Sequence, residues 1–501
     1  MERARSRPGV AIGASVVSFL VVALVAATPG SPFSPVLPAP PSGPGRALAE
    51  LVGLDALHGS AIAAVGVVAV AFAAAAFVLV LLECWRGSIR PRTVIGLAIA
   101  YHAVLLFLPL LFSRDVYSYA YYGKIAATYH TNPYVTTPLD YPTDPLAAFV
   151  GPKWVDTPAV YGPLWTQASS LVVRVVDSVA AQVAAFRIVA IAASLVMLLV
   201  VARTVRGVRP EREAFAAALV GLNPVVLFQS AASGHNDLLV ALSIASALAL
   251  VLSGRELWAT VALTVGALIK VTAAVPLLLW WVAVAARAER GHRIRTLAPH
   301  VGSALALALL AALPFLNTGD PTLGGLELAS HEGWLAPSRL VHRVLDAVSG
   351  DALGVIPRIV FPLVLLGALV LIGRAIIRRA PGIRPPLVGA SWGWGLLCLM
   401  LLGPVLLPWY VTWALPLGWL LPRVPRTVLI GTGLALTVSQ WTSEPARFEA
   451  AYEANLWVGH WVITPVVIAL LGWLLLDLWR RSRSGAPLED EGEVAAAAAE
   501  R

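Results

Sequence analysis

Cysteine and charge are both scarce in this chain. Its two cysteines, Cys84 and Cys398, lie far apart at or within apolar runs, so no disulfide framework and no spaced set of metal ligands is present. Charged residues make up 13% of the sequence and hydrophobic residues 58%, whereas soluble globular domains carry charge on about a quarter of their residues. The composition therefore predicts an all-α polytopic membrane protein.

Other functional signals are missing as well. The sequence contains no GxxxxGK[ST] phosphate loop and no HExxH zinc motif, so neither soluble nucleotide use nor zinc hydrolysis is indicated. The formal net charge of +8 comes mainly from arginines that cluster between apolar runs. This distribution is typical of membrane proteins that obey the positive-inside rule, and it provides no basic face for nucleic acid.

Apolar runs long enough to cross a bilayer recur along the chain, and they predict about 12–14 transmembrane segments. A cytoplasmic N-terminus places five arginine-containing clusters on the inner side. These clusters contain Arg86, Arg90 and Arg92; Arg203, Arg206, Arg209 and Arg212; Arg287, Arg290, Arg293 and Arg295; Arg374, Arg378, Arg379 and Arg384; and Arg480, Arg481 and Arg483. In this orientation both ends are cytoplasmic, and the long loop of residues 113–165 lies outside.

Composition divides the chain into four parts. Residues 1–28 predict an N-terminal transmembrane anchor, because an apolar run of about twenty residues is long for a signal peptide; a cleaved signal peptide is the alternative. Residues 29–60 are rich in proline and glycine and predict an extracytoplasmic linker. Residues 61–480 predict the main transmembrane domain, and residues 481–501 a disordered cytoplasmic tail.

Two stretches interrupt the regular succession of spans. Between Arg255 and Arg287 the run fits a pair of short helices that turn near Lys270. Residues 403–421 contain three prolines and predict a second pair, which turns near residues 408–410. Irregular backbone at membrane depth is stable only where it is buried in protein or lines a watery cavity. Both interruptions therefore predict an internal cavity.

Polar and aromatic residues concentrate in the loop of residues 113–165, which is too long for a simple connector. Asp115 follows an apolar span directly, and an apolar wall would raise its pKa and suit it to act as a general base on a hydroxyl group. The alternative is that Asp115 caps the helix predicted over residues 116–127. Tyr161 and Trp165 close the loop and suit contact with sugar rings, although the membrane interface also favours these residue types.

Two further polar groups lie in or beside apolar runs. His235, Asn236 and Asp237 are consecutive between two spans; one is expected to cap the next helix, and together they suit hydrogen bonding to a hydroxyl-rich ligand. Lys270 is the only lysine inside an apolar run, and a charge at membrane depth indicates function by default. Its ammonium suits a lipid phosphate; the alternative is an ion pair with an acid such as Asp237.

The combined pattern resembles the polytopic GT-C glycosyltransferases. It comprises an Asp after an early span, a long loop ending in Tyr-x-Pro-Leu-aromatic, Gly-His-Asn-Asp between two spans, a Lys in Leu-Ile-Lys-Val-Thr-Ala-Ala-Val-Pro-Leu, and a Pro-Trp-Tyr turn. Over about residues 94–479 the chain resembles in particular the actinobacterial polyprenol-phosphate-mannose-dependent α-(1→6)-mannosyltransferases, which build the mannan backbone of lipomannan and lipoarabinomannan.

The resemblance implies an inverting transfer of mannose from polyprenyl-phosphate-mannose to a lipid-linked α-(1→6)-mannan, on the outer face of the plasma membrane. Residues 61–480 would form the GT-C catalytic domain, with residues 113–165 as its catalytic outer loop. The implied roles are general base for Asp115, donor-phosphate binding for Arg114 and Lys270, and sugar binding for His235, Asn236, Asp237, Tyr161 and Trp165. His331, Glu332 and Trp334 are a further candidate for binding the acceptor.

Some aspects of this reading stay open. Members of the family often show a second acid beside the catalytic one; here Arg114 precedes Asp115, so no metal ligand is assigned and no cofactor is expected. A transferase that uses another polyprenyl-linked sugar, such as arabinofuranose, would fit the same residues. A lipid-linked sugar transporter or flippase is the other alternative, but such transporters usually carry related halves, and the long loop has no counterpart later in the chain.

Overall fold

The computed structural model describes residues 7–35, 44–152, 154–316, 333, 335–349, 353–380, 382–442 and 448–490. Within these ranges the regular structure is helical, without strands. Eight helical segments are long and apolar enough to cross a membrane, and four shorter apolar helices accompany them. The predicted fold class, an all-α polytopic membrane protein, is confirmed. His331, Glu332 and Trp334 lie outside the described residues.

The helices divide into two consecutive sets. The first set is α1 (Pro8–Ala27), α2 (Pro44–Leu51), α3 (Ser60–Trp85), α4 (Pro91–Leu105), α5 (Asp115–Ala127), α6 (Pro163–Val175), α7 (Val179–Val208), α8 (Glu213–Gly221) and α9 (Asp237–Leu252). The second set is α10 (Glu256–Ile269), α11 (Ala274–Arg287), α12 (Arg293–Ala312), α13 (Pro337–Ser349), α14 (Val355–Arg378), α15 (Pro385–Leu402), α16 (Arg423–Thr437), α17 (Glu449–Val458) and α18 (Thr464–Ser484).

Helix α4 ends earlier than the sequence predicts. The apolar run continues to Phe112, but the helix stops at Leu105. Pro109, four residues later, has no N–H to donate to the Leu105 carbonyl, so a regular helix cannot continue through it. The guanidinium of Arg187 donates to that carbonyl instead, with a Nη2–O distance of 2.7 Å. The chain then leaves the helix, and Asp115 becomes the first residue of α5.

The predicted pair of short helices is present as α10 and α11, with Lys270 at the turn between them. Gly162, at the end of the long loop, donates its N–H to the Ile269 carbonyl at 2.9 Å. A Cβ atom at Gly162 would lie 2.1 Å from the Leu268 carbonyl oxygen, so only glycine permits this approach. The end of the loop is therefore held directly beside Lys270.

The second interruption differs from the predicted helix pair. After α15 the chain returns through two short 3₁₀ turns, Pro408–Trp413 and Leu415–Leu417, before α16 begins. All residues of both turns are buried. Irregular backbone is thus enclosed by the helices around it, which is the condition under which it is stable at membrane depth.

A serine in α15 has a sequence context that resembles a nucleophile motif. Residues 389–393 read Gly-Ala-Ser-Trp-Gly, which matches GxSxG. Ser391 is fully buried inside the helix and donates to the Val388 carbonyl. A Cβ atom at Gly389 would lie 2.5 Å from the Leu420 side chain, so the glycine there serves close helix packing.

Two segments outside the long helices are more ordered than the sequence suggests. Within the predicted linker, Phe33 is fully buried and its carbonyl accepts a hydrogen bond from the Phe112 N–H. At the other end, the predicted tail from residue 481 first completes α18 and then folds back onto the helices. Leu488 is buried there, and Asp490 pairs with Arg426 at 2.9 Å.

Candidate active site

A small chamber of about 90 Å³ lies where four segments meet. The segments are the start of α5, the end of the long loop, the turn between α10 and α11, and the 3₁₀ turn Pro408–Trp413. The chamber is lined by Asp115, Ser118, Tyr122, Trp154, Val160, Tyr161, Lys270, Leu407, Trp409 and Tyr410. Of the residues predicted to form a site, Asp115, Tyr161 and Lys270 are thus brought to one surface.

Three side chains hold the Asp115 carboxylate. Ser113 donates its hydroxyl to Oδ1 at 3.0 Å, and Tyr161 donates to Oδ2 at 3.3 Å. His235 Nδ1 lies 3.4 Å from Oδ2. Asp115 is the first residue of α5, after the N-cap residue Arg114, and no side chain caps the helix. The alternative interpretation, that Asp115 is an N-cap, therefore does not describe this structure. Its carboxylate is about one-fifth exposed and faces the chamber.

The electrostatics of Asp115 differ from the sequence-based expectation. Burial raises the pKa of its carboxyl, but nearby His235 and Lys270 and the hydrogen bond from Ser113 lower the pKa by more. The net pKa is below the ordinary value of 3.8, so the predicted raised pKa is wrong. A general base must be ionised to accept a proton, and this environment keeps the carboxylate ionised at neutral pH.

His235 and Asp237 lie behind the chamber wall, with fully buried side chains. The His235 ring stacks on Trp409 at a centroid distance of 3.8 Å. Asp237 Oδ1 accepts hydrogen bonds from Lys270 Nζ at 2.8 Å and from Trp413 Nε1 at 2.7 Å. The ion pair between Lys270 and Asp237, which was the alternative interpretation of Lys270, is therefore present. It holds the ammonium at the chamber.

Several buried polar atoms of the His-Asn-Asp triplet make no hydrogen bond within the described chain. They are both ring nitrogens of His235, both amide atoms of the Asn236 side chain, and Asp237 Oδ2. Nearly all buried polar atoms in proteins have a partner, and exceptions call for a specific explanation such as a catalytic role or a bound water or ion. Their accumulation beside the chamber makes this part of the molecule the candidate active site.

Lys270 also borders a second cavity of about 210 Å³, and the two cavities share Val160, Lys270 and Tyr410. The second cavity is largely apolar; its lining includes Leu399, Met400, Val405 and Trp413. The ammonium lies 4.6 Å from the Tyr410 ring centroid, within the range of a cation–π contact. The Lys270 ammonium thus lies at the boundary between the chamber, which contains the Asp115 carboxylate, and a largely apolar cavity.

Other predicted residues lie away from the chamber surface. Trp165 packs edge-on against Tyr119 at a centroid distance of 5.1 Å, and it supports the chamber from behind. The backbone N–H of Asn236 donates to the Tyr119 hydroxyl at 3.4 Å. Arg114 is half-buried and does not line the chamber. Among the described residues, no group of three or more His, Cys, Asp or Glu side chains could hold a metal ion.

Sequence reasoning missed three residues on α5. Ser118, Tyr119 and Tyr122 follow Asp115 at positions i+3, i+4 and i+7, which is the spacing of one helix face. Ser118 and Tyr122 line the chamber, and Tyr119 links Asn236 to the aromatic cluster. A search for polar residues at helical spacing from the candidate acid would have found them.

Comparison with known proteins extends these observations. Residues 16–287 match the family described as "Alpha-(1->6)-mannopyranosyltransferase, N-terminal domain". The chain belongs to this family of α-(1→6)-mannopyranosyltransferases. The Alpha-(1->6)-mannopyranosyltransferase A of Mycobacterium tuberculosis is 28% identical over 416 residues, which are 79% of this chain and 76% of that protein. No solved structure matches the chain.

Membership identifies the chain as a membrane-embedded glycosyltransferase of the mannosyltransferase type, as the resemblance implied. The family match spans both Asp115 and Lys270, together with the loop end and the His-Asn-Asp triplet. The opposite wall of the chamber, formed by Pro408–Trp413, lies beyond the matched residues.

Proposed function

We propose that this family member transfers mannose from polyprenyl-phosphate-mannose to the growing α-(1→6)-mannan of lipomannan and lipoarabinomannan, on the outer face of the plasma membrane. The observation that supports the proposal is the pairing of an ionised carboxylate, Asp115, with an ammonium, Lys270, in one chamber. Transfer from a sugar phosphate needs these two functions, a base for the acceptor and a cation for the phosphate.

In the proposed step, the 6-hydroxyl oxygen of the acceptor attacks the anomeric carbon of mannose and forms the new C–O bond. The bond from that carbon to the phosphate oxygen breaks on the opposite face, so the configuration inverts. Asp115 accepts the hydroxyl proton, and polyprenyl phosphate leaves with the electron pair. The leaving group gains negative charge, so it needs charge stabilisation rather than a proton donor.

Lys270 is the proposed partner of that phosphate. An ammonium has three N–H donors; one hydrogen bond goes to Asp237, which leaves donors for a phosphate oxygen. Its place between the two cavities suits a donor whose sugar occupies the chamber beside Asp115 and whose polyprenyl chain extends along the second, largely apolar cavity. Arg114, which is outside the chamber lining, would contribute its charge at longer range.

In this proposal one of the remaining predicted residues contacts the substrate, and the others act by holding neighbouring side chains in place. Tyr161 faces the chamber and donates to Asp115, so it orients the base and contacts the sugar. His235 and Asp237 are buried and act through Asp115 and Lys270, which they hold. Asn236 and Trp165 both contact Tyr119 and keep this layer rigid behind the sugar.

The experiment that tests the proposal compares Asp115→Asn with Asp156→Asn, an exposed acid of the same loop. Right-side-out vesicles receive labelled polyprenyl-phosphate-mannose in their lipid, and a short, membrane-impermeant α-(1→6)-mannoside is added outside. We expect transfer by Asp115→Asn to fall at least about a hundred-fold, because a positioned base contributes about 10²–10⁴-fold. Asp156→Asn should retain normal transfer, and linkage analysis should find a new α-(1→6) bond.

Each of three outcomes contradicts one part of the proposal: the general base, the face of the membrane or the donor sugar. Near-normal transfer by Asp115→Asn removes that residue from the role of base. Activity only in inside-out vesicles places the site on the cytoplasmic face. Faster transfer from a polyprenyl-linked arabinofuranose than from the mannose donor changes the substrate.

A further inference from the structure

A third, larger cavity of about 590 Å³ lies away from the proposed catalytic chamber, and these two share no lining residue. Its walls come from the last turn of α5, the face of α6, and the segment that follows α12. Ala126 lines it eleven residues after Asp115 on α5, a separation of about 16 Å along a helix. The cavity is therefore a separate feature of the fold.

Two amide side chains hold its walls in place. Asn132 donates its side-chain amide to the Phe315 carbonyl at 3.1 Å, and Gln167 donates to the Ala311 carbonyl at 2.5 Å. Both bonds join the region of α5 and α6 to the end of α12. On the other side, α5 and α6 touch so closely that a Cβ atom at Gly123 would lie 2.5 Å from the Ser169 carbonyl oxygen. The cavity is thus bounded on three sides by packed structure.

The charge at this cavity is positive. Arg174 lines it and makes no hydrogen bond or ion pair within the described residues, and no Asp or Glu is among the described residues of the lining. His130, also in the lining, adopts φ +53°, which is uncommon for a residue other than glycine. Thr131 adds a hydroxyl group, whereas the Ser170 hydroxyl already donates to the Thr166 carbonyl at 3.0 Å. Arg174, His130 and Thr131 are exposed at the mouth of the cavity. A guanidinium with a hydroxyl group and an imidazole beside it suits an anion, above all a phosphate, which arginine recognises well.

Exposed apolar residues lie beside the same cavity. Leu171, which lines it, is 63% exposed, and Val175, four positions further along α6, is 72% exposed. Leu309, Leu310 and Leu313, which precede the lining residue Pro314, are 50% or more exposed. The cavity therefore combines an exposed guanidinium with exposed apolar side chains, as a lipid with a charged headgroup would require.

We propose that this cavity binds the phosphate-bearing headgroup of a membrane lipid, at a site distinct from the donor-phosphate position at Lys270. Arg174 supplies the charge, His130 and Thr131 supply hydrogen bonds, and Leu171 and Val175 contact the acyl chains. The inference does not depend on the proposed transfer reaction, because it rests on residues that the reaction does not use.

The test uses the full-length protein in neutral phosphatidylcholine nanodiscs. Binding of labelled phosphatidylglycerol, as the anionic probe, is titrated for the wild type, for Arg174→Gln and for Arg423→Gln. Arg423 is an exposed arginine at the start of α16, and it provides the matched control. We expect Arg174→Gln to weaken binding about five-fold, since one basic residue near a charged lipid contributes about that factor, while Arg423→Gln leaves binding unchanged.

A second variant and a competitor make the result decisive. Ala126→Phe fills the cavity without changing charge, and it should also weaken binding, whereas inorganic phosphate should displace the lipid only weakly because it lacks acyl chains. Equal binding by the wild type and Arg174→Gln overturns the proposal. Displacement by inorganic phosphate at concentrations similar to those of the lipid also overturns it, because the site would then recognise free phosphate.

Discussion

The buried pair Lys270–Asp237 allows stability and function to be separated in one experiment. The ammonium and carboxylate are 2.8 Å apart, with side chains 8% and 0% exposed. Replacing Lys270 with Met leaves Asp237 as a buried carboxylate with a single hydrogen bond, from Trp413. Removing one partner of a buried ion pair costs about 3–5 kcal/mol, whereas replacing both partners is often close to neutral.

We therefore expect Lys270→Met to lower the free energy of unfolding by about 3–5 kcal/mol. The double variant Lys270→Met/Asp237→Asn should recover most of that loss, because no charge is left buried and the Asn oxygen still accepts from Trp413. Reversible denaturation in mixed micelles measures both values. Arg46→Met, which breaks an exposed pair with Glu50, is the control and should change stability by less than about 1 kcal/mol.

The activity of the double variant with the polyprenyl-phosphate donor should stay low even though its stability recovers. The double variant has no cation at the chamber, so we expect its kcat/KM for the polyprenyl-phosphate donor to stay at least about ten-fold below that of the wild type, as loss of a charged contact of about 1.5–3 kcal/mol implies. A double variant as unstable as Lys270→Met would refute the ion-pair reasoning. A stable double variant with normal donor kinetics would refute the phosphate role.

Two further predictions concern the loop end and the base. Gly162→Ala should destabilise the protein by about 1–3 kcal/mol, the range for overpacking, and should reduce transfer, because the added Cβ atom would lie 2.1 Å from the Leu268 carbonyl oxygen and displace the Lys270 turn. Gly207→Ala, in open space on α7, should leave stability unchanged or increase it; equal effects of the two variants would contradict the close approach. The lowered pKa of Asp115 keeps the base ionised until the pH falls below 3.8, so kcat/KM measured against pH should show no loss from this group above pH 5. An acidic limb with a midpoint between pH 5 and 7 that Asp115→Asn abolishes would show that the carboxyl has a raised pKa instead.

Much of this protein could be inferred from local pattern. Hydrophobic run length and arginine clusters predict spans because they reflect the bilayer itself, which acts on each segment separately. The run between Arg255 and Arg287 fits a pair of short helices, so the turn at Lys270 between α10 and α11 was predictable. The combination of Asp115, the loop end, the His-Asn-Asp triplet and Lys270 was sufficient to indicate the family.

Other features depended on contacts between segments distant in sequence. The Leu105 carbonyl at the end of α4 accepts a hydrogen bond from Arg187, 82 positions away. The pKa direction of Asp115 depends on His235 and Lys270, whose charges a local view of an apolar wall does not include. The sequence by itself thus determined the fold class, the family and the candidate residues, because these follow from local hydrophobicity and motif. Only the tertiary structure decided which of these residues share a surface, which support it from behind, and where the cavities lie, because these depend on distances between segments brought together by packing.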